Sequence, residues 1–505
     1  MTHNTPRKET SSGRMNVLTK IREKYISLPK ALKASIWFLI CSFMQKGISV
    51  ITTPIFTRLL SSAEYGQYNV FNSWLGIVGV IVTLWIFNGV YTQGLVKFED
   101  NRDRFSSTLQ GLTLALVLIW TGIYFIGHNF WNQLLKITTT QAILMLIMIW
   151  ASAVFNFWAA EQRVVLRYKQ LVIVTILVSI AKPVFSIILI RLSDDKVTAR
   201  ILGLVLAEVI GYTWMFFAQV KKGKKLFDWK IWKYALLFNI PLIPHYLAQN
   251  VLVSSDRIMI ERMVGASEAG IYSLAYSIAQ IMILFNNALT QTISPWIYKK
   301  IKDKEPLKIT NIAYGSLAFI AVVNVFLIAF APEAVRFFAP AEYYDAIWAI
   351  PPVAMSVFFQ FAYSFFACFE FYYEKTGFIT VATIISAVLN LGLNYVCIQW
   401  FGYVAAGYTT LACYIIQFTC HYIMMQKVCN MHLDGVVVYK PSVMIGMILA
   451  FFAVGFGFML TYNYPVLRYV LLAVAIFAVI IKRKMIIGFV QTLLKNRQES
   501  QKPIA

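Results

Sequence analysis

Long apolar runs follow one another along almost the whole chain, and they limit its fold more than any other feature. A helix needs about 20 apolar residues to span a bilayer. Fourteen stretches of the sequence have roughly this length and character. Lipid-exposed backbone must satisfy its own hydrogen bonds, so the runs predict helices and not strands. The predicted spans are 34–60, 68–92, 106–127, 140–161, 169–191, 199–220, 236–264, 269–296, 308–331, 345–370, 376–399, 403–426, 440–462 and 464–482.

The sequence therefore predicts an all-α, polytopic membrane bundle of about 14 transmembrane helices. The composition agrees with this, because 59% of the residues are hydrophobic and only 13% are charged. A soluble domain carries about a quarter of its residues as charges. The net charge of +22 comes from short basic clusters between the apolar runs. Such clusters are typical of segments beside anionic membrane lipids, so we expect lipids and no nucleic acid as partners.

The distribution of Lys and Arg predicts the orientation of the chain. Of the 45 basic residues, 34 fall on the side of the N-terminal tail and 8 on the opposite side. Basic loops stay in the cytoplasm, so both termini are predicted to be cytoplasmic. Arg200, at the start of the span 199–220, counts among the eight residues of the opposite side.

An internal repeat divides the chain. Residues 55–73 and 259–277 align without gaps at an offset of 204, with five identities in nineteen positions. Each copy contains six predicted spans, so both copies enter the membrane in the same direction. The repeat predicts two pseudo-symmetric six-helix lobes around a central cavity, with two further helices at the C-terminal end. The identical pairs are Arg58 and Arg262, Glu64 and Glu268, Gly66 and Gly270, Tyr68 and Tyr272, and Ser73 and Ser277.

The predicted domain organisation follows from the spans and the repeat. The predicted segments are a basic cytoplasmic tail at 1–33, an N-lobe at 34–220, a basic cytoplasmic linker at 221–235, a C-lobe at 236–426, two appended helices at 427–482 and a cytoplasmic tail at 483–505.

The repeated segments also carry a family resemblance. Residues 54–68 read PIFTRLLSSAEYGQY, and the second half contains PLIP at 241–244, DRIMI at 256–260 and EAGIYS at 268–273. Over about 31–425 the chain resembles the bacterial polysaccharide-biosynthesis flippases that move O-antigen and capsule repeat units. They belong to a superfamily that also contains multidrug exporters and lipid II flippases.

The resemblance implies a function. It implies movement of a polyprenyl-diphosphate-linked oligosaccharide from the inner to the outer leaflet of the bacterial cytoplasmic membrane, by alternating access and without enzymatic chemistry. Other polysaccharide-assembly proteins are implied as possible partners. The alternative is a cation-coupled multidrug or small-molecule exporter of the same superfamily. Such exporters commonly place a functional Asp in the first helix, whereas span 34–60 has no carboxylate and carries Lys46 instead.

Charged residues inside the spans are the candidate binding residues. A charge in the hydrocarbon costs about 2.5–3.5 kcal/mol on insertion scales, so it should face a cavity or a partner. Cations can hold the diphosphate, and amides can hydrogen-bond the sugars. Asn250 and Gln249 stand at the repeat positions of Lys46 and Gln45. The predicted substrate-binding set is Lys46, Lys182, Arg257, Asn250, Gln45 and Gln249.

Other interpretations of these residues stay open. Lys46 has Glu208 as a possible structural partner, Lys182 precedes Pro183 and has a freed backbone carbonyl nearby, and Arg257 is close enough to its helix end to snorkel.

Acidic residues in the spans are candidates for coupling to H⁺ or Na⁺, or each neutralises a nearby lysine. They are Glu208, Asp256 and Glu370. No catalytic residue, metal site or other cofactor is predicted. The outside loops are short, and the five His are scattered.

Overall fold

The computed structural model describes residues 30–484, 488, 491 and 492, and these form an all-α bundle. Most of the two predicted tails, 1–33 and 483–505, lies outside the described residues. The helices are α1 Lys30–Leu59, α2 Ser62–Thr83, α3 Val90–Lys97, α4 Arg102–Ile126, α5 His128–Leu135, α6 Thr139–Val164, α7 Tyr168–Leu192, α8 Lys196–Gly223, α9 Trp229–Asn239, α10 Ile243–Met263, α11 Ala266–Ala279, α12 Ile281–Lys302, α13 Leu307–Ala329, α14 Ala331–Phe338, α15 Ala346–Tyr372, α16 Thr376–Phe401, α17 Ala405–His432, α18 Pro441–Leu460 and α19 Pro465–Ile481.

Each predicted span coincides with one of these helices or with a consecutive pair. By length and apolar character, eleven helical stretches of the described residues are able to cross a membrane. This is fewer than the predicted fourteen. The spans that do not meet the criterion are the second, the twelfth and the last, and the last helix, α19, has only 17 residues. In the second, α2, the polar residues Asn69, Asn72 and Ser73 lower the mean hydropathy of the helix.

Two of the predicted spans are broken near the same buried amide. Between α2 and α3, Leu84 and Trp85 adopt left-handed backbone angles, with φ of 51° and 46°. Between α9 and α10, the chain makes a 3₁₀ turn at Ile240–Leu242. The fully buried Asn239 joins the two breaks, because its amide nitrogen donates to Leu84 O at 2.7 Å and its amide oxygen accepts from Val90 N at 3.1 Å.

The helices pack in two groups that meet along α2. In the N-terminal group α8 packs against α4, α6 and α7, and α1 packs against α7. In the C-terminal group α15 and α16 pack against α17, and α10 packs against α16. The groups join where α2 packs against α10 and α11. The short helix α9 packs on α3 and α4, and there Trp232 Nε1 donates to Thr108 O at 2.9 Å.

Two glycines of the internal repeat face each other where α2 meets α11. A Cβ added to Gly66 would lie 1.8 Å from the carbonyl oxygen of Ala266, and one added to Gly270 would lie 2.0 Å from that of Ser62. Any larger side chain would therefore separate the two helices at this point. The start of α2 is fixed by a capping box between Ser61 and Glu64, which satisfies backbone N–H groups of the first turn.

Candidate functional site

A polar cavity of about 430 Å³ lies between the two helix groups. This volume is within the usual range of about 300–1,000 Å³ for ligand pockets. Its walls come from α1, α2, α8, α10, α11 and α12. On α1 the lining runs from Lys46 to Phe56, and on α2 from Tyr65 to Gly76. At a rise of about 1.5 Å per residue, Lys46 lies about 20 Å from the Leu59 end of α1, close to mid-membrane depth.

Three cations line this cavity, and they come from three helices. Lys46 belongs to α1, Arg200 to α8 and Arg257 to α10. No Asp or Glu is among the described residues that line the cavity. The guanidinium of Arg257 lies 4.1 Å from the ring centre of Tyr276 and donates to Val253 O at 3.2 Å. The cavity is therefore electropositive, with cations contributed by both helix groups.

Arg200 is the functional-site residue that sequence reasoning missed. The sequence predicts it on the side opposite the N-terminal tail, but α8 begins at Lys196, where the side chain of Asp195 accepts from Thr198 N at 3.0 Å. This cap starts the helix early enough to place Arg200 in its second turn, where it is only 7% exposed. The signal was present in the sequence, because residue 200 falls within the predicted span 199–220.

Uncharged polar groups surround the three cations. Hydroxyl and amide side chains of α1, α2, α10 and α11, together with Gln280 between α11 and α12, line the same cavity. Asn250 lies across from α2, where a Cβ on Gly76 would be 3.1 Å from the Asn250 side-chain oxygen. Amides and hydroxyls of this kind can both donate to and accept from sugar hydroxyls. These groups are Ser49, Thr52, Thr53, Asn69, Asn72, Ser73, Asn250, Ser254, Ser277 and Gln280.

Direct contacts between the helix groups close the cavity at the α1–α2 turn. The hydroxyls of Ser62 and Ser267 are hydrogen-bonded at 2.8 Å. Thr57 Oγ1 donates to Phe338 O at 2.6 Å, and Ser62 N donates to Glu342 Oε1 at 3.0 Å. These bonds involve Thr57 and Ser62, which follow the lining residue Phe56 toward the α1–α2 turn, so this end of the cavity is sealed.

The family follows from a match along the first half of the chain. The sequence profile described as "Polysaccharide biosynthesis protein" matches residues 31–301. The chain belongs to the polysaccharide biosynthesis protein family. The predicted family resemblance is therefore confirmed.

This polysaccharide biosynthesis protein also resembles a curated protein and two solved structures. It is 20% identical over 387 residues to Lsg locus putative protein 1 of Haemophilus influenzae, a match that covers 71% of this chain and 89% of that one. It is 14% identical to the lipid II flippase MurJ in an inward closed conformation, with a TM-score of 0.61, covering 90% of this chain and all of that one.

The second structure is an inward-facing MATE family transporter of the MOP superfamily. The identity is 12% and the TM-score 0.56, and the match covers 78% of this chain and 96% of that one. Identities this low establish the shared fold alone. The chain therefore shares the fold of this flippase and of this transporter.

Three residues of the predicted binding set line the cavity between the helix groups, namely Lys46, Asn250 and Arg257. The other three do not. In this polysaccharide biosynthesis protein Lys182 forms an ion pair with Glu208 at 2.6 Å. Glu208 also accepts from Ser152 Oγ at 2.8 Å. Glu208 is thus the partner of Lys182 and not of Lys46.

Gln45 and Gln249 are exposed and lie outside the cavity lining. Each precedes a lining residue by one position. A helix turns about 100° per residue, so each points away from the cavity wall.

Asp256 is buried behind the cavity wall in a network of uncharged groups. Its carboxylate accepts from Tyr272 Oη at 2.7 Å, Asn394 Nδ2 at 2.7 Å and Thr410 Oγ1 at 2.8 Å. Asn390 extends the network by accepting from Ser255 Oγ at 3.0 Å. The network joins α10, α11, α16 and α17, so a change in the charge of Asp256 would act on the packing of four helices.

Glu370, the third predicted acid, pairs with a histidine and not with a lysine. Both of its oxygens lie 2.9 Å from His421 Nδ1, and the two side chains are fully buried. The His421 ring stacks on Tyr363 with ring centres 5.0 Å apart. This pair lies outside the cavity lining.

Proposed function

We propose that the chain is a flippase that translocates polyprenyl-diphosphate-linked oligosaccharide repeat units from the inner to the outer leaflet of the bacterial cytoplasmic membrane. The repeat units would serve capsule, O-antigen or exopolysaccharide assembly. The single observation that carries this proposal is the cavity between the helix groups, with three cations and no carboxylate among its described lining residues.

The charge of the cavity suits the diphosphate of such a substrate. A sugar diphosphate ester carries about two negative charges, one on each phosphate. To leave the interface it must exchange its water for other partners, and cations in a low-dielectric site are the strongest ones. Lys46 on α1 and Arg257 on α10 supply these, one from each helix group.

The remaining parts of the substrate also find suitable surroundings. The sugars would be hydrogen-bonded by the amides and hydroxyls of the lining, including Asn72 and Asn250. The prenyl tail needs no site in the cavity, because it can remain in the lipid beside the helices. Transport would thus require the protein to carry only the polar head group across the membrane.

The same charge argues against a multidrug exporter of cationic compounds. Such a compound would need a carboxylate in the cavity, and the described lining has none. Asp256, which directly precedes the lining residue Arg257, makes its hydrogen bonds within the C-terminal group and away from the cavity.

The proposed transport cycle is alternating access by two lobes, 34–220 and 236–426, with both termini in the cytoplasm. The bonds between Ser62 and Ser267 and between Thr57 and Phe338 would then form the outer closure. Opening of this closure, with closure at the opposite end, would release the head group to the outer leaflet.

Asp256 is the proposed coupling residue for H⁺ or Na⁺. A buried carboxylate held only by uncharged donors is costly, and binding a proton or a small cation would offset that cost. The nearby oxygens of Thr410, Asn390 and Asn394 are of the kind that hard cations prefer. By contrast, Glu208 and Glu370 already have Lys182 and His421 as partners.

Reconstitution tests the proposed function. Purified protein in liposomes would be given a polyprenyl-diphosphate oligosaccharide with a fluorescent sugar, and a membrane-impermeant quencher would report the leaflet. We expect wild-type protein to make the protected pool accessible well above the rate in empty liposomes. A rate equal to that of empty liposomes, under Na⁺ and proton gradients of either direction, would reject the proposal.

A further inference from the structure

Arg200 is one cation more than the diphosphate needs. If the proposed function holds, Lys46 and Arg257 match the roughly two negative charges of the diphosphate. Arg200 lines the same cavity, and no carboxylate among the described lining residues neutralises it. A cavity with an unmatched buried cation is suited to a substrate with a further negative charge.

The three cations lie at two different depths. Arg200 stacks at 4.0 Å from the ring centre of Phe56, which follows Lys46 by ten residues, or about 15 Å, along α1. Arg257 donates to Val253 O, one turn earlier in α10, so its guanidinium is directed away from the sealed end. Lys46 and Arg257 therefore serve the middle of the cavity, and Arg200 serves its sealed end.

The surroundings of Arg200 hold its guanidinium in a fixed plane. It lies 3.4 Å from the ring centre of Tyr68, 4.0 Å from that of Phe56 and 5.4 Å from that of Tyr65. Within the described residues its Nη1 has no hydrogen-bond partner. Aromatic faces offset part of the cost of a buried cation, and the unpaired Nη1 remains available to an anion.

We propose that Arg200 is a specificity-determining residue that binds an ionised group on a sugar distal to the diphosphate. The substrate class is then an acidic repeat unit, such as one that contains a uronic acid. With the diphosphate at mid-depth, the oligosaccharide extends toward the sealed end and brings a distal carboxylate to Arg200. A planar carboxylate matches the guanidinium with two parallel hydrogen bonds.

The test compares two synthetic substrates in the reconstituted wild-type protein. Both are polyprenyl-diphosphate trisaccharides, and they differ only in that the terminal sugar is a neutral hexose or the corresponding uronic acid. We expect the uronic acid form to be transported at least about tenfold faster at low substrate concentration, the usual effect of one charge-assisted contact. Equal rates for the two substrates overturn this proposal but leave the flippase function standing, whereas no transport of either substrate rejects the flippase function itself.

Variants then connect the preference to Arg200. In Arg200→Gln the ratio of acidic to neutral transport should fall to about one, whereas the matched control Arg191→Gln, an exposed arginine outside the cavity, should keep the wild-type ratio. If Arg200→Gln does not fold, Arg200→Lys replaces it. Lysine keeps the charge but lacks the planar fork, so the ratio should fall at least about threefold. A wild-type ratio in the variant used contradicts the proposal.

Discussion

At the scale of single residues, Lys46 is the main candidate for binding the diphosphate of the substrate. It is a lining cation close to mid-membrane depth, on a helix with exposed apolar side chains such as Phe43 and Ile51. The insertion cost of such a charge implies a compensating role. Asn250, at the same position of the internal repeat, shares its cavity, which places a cation on one wall and an amide on the other.

Replacement of this cation tests its role. Lys46→Gln should be expressed and inserted normally but should transport the lipid-linked oligosaccharide about tenfold more slowly or worse, because one charge-assisted contact to phosphate is lost. Polymer export in cells and flipping in liposomes both measure this. Lys427→Gln, which changes an exposed lysine outside the cavity, is the matched control. Normal export by Lys46→Gln would exclude the residue from substrate binding.

Asp256 makes a separate prediction about coupling. Asp256→Asn preserves the shape of the side chain but removes its charge, so transport should no longer respond to the coupling gradient. In wild-type protein, imposed Na⁺ and proton gradients would identify the ion, and the variant would be measured with the same ion. Asp303→Asn, at an exposed loop position, should respond like the wild type. An unchanged response in Asp256→Asn would move coupling elsewhere.

Residue-level prediction placed residues on the cavity wall where depth alone decided the outcome, and their role in substrate binding stays a prediction. Lys46 and Arg257 are cations inside apolar runs, and both line the cavity. Prediction from the sequence failed where the environment of a charged residue depended on one specific partner residue. The Lys182 pair with Glu208 and the Glu370 pair with His421 join residues 26 and 51 positions apart in sequence, and no local pattern specifies them. Arg200 was missed because one helical turn separates an outside loop from the cavity wall.

At the scale of helices, the decisive contact is the close approach of α2 and α11. The repeat identified Gly66 and Gly270 by their identity, but only the packing explains why both are glycines. Each backbone fills the space that a Cβ of the other helix would occupy. This arrangement allows the Ser62–Ser267 hydrogen bond and seals one end of the cavity.

Gly66→Ala should therefore hold this end open. Its Cβ would meet the Ala266 carbonyl oxygen at 1.8 Å, so α2 and α11 must separate. In a background without the six native cysteines, a cysteine at lining position Asn72 should react with an impermeant thiol reagent added outside, and faster than in the parent protein. Gly122→Ala is the matched control, because no atom lies within 4 Å of its Cβ position. Equal labelling rates in both would show that this contact does not control access.

The positions of the helices were predictable, but their interruptions were not. Apolar length located a helix or a pair of helices at each of the fourteen predicted spans, although only eleven helical stretches of the described residues are long and apolar enough to cross a membrane. The breaks at Leu84–Trp85 and Ile240–Leu242 instead involve the buried Asn239. Its side chain is hydrogen-bonded to the backbone on both sides of the first break, at Leu84 O and Val90 N. Pro241 and Pro244 were visible in the sequence, yet the contact that orients the broken ends joins Asn239 to Leu84, 155 positions away in the sequence.

At the scale of the whole molecule, charged residues are distributed unevenly in two ways. Across the membrane, 34 of 45 basic residues fall on the side predicted to be cytoplasmic, which sets the expected orientation. Within the membrane, carboxylates such as Asp256 and Glu208 are enclosed inside helix groups, whereas three cations face the space between them. The first feature is common to polytopic membrane proteins, so only the second bears on the substrate. The cations between the helix groups suit the anionic head group of the proposed lipid substrate.

The most direct measurement is leaflet accounting of the lipid-linked oligosaccharide in the native host while this protein is depleted. We predict that repeat units accumulate on the cytoplasmic leaflet while their synthesis continues, and that wild-type protein restores their transfer but Lys46→Gln does not. A pool unchanged in both amount and sidedness after depletion would contradict glycolipid transport, and the electropositive cavity would then have to serve a different anion.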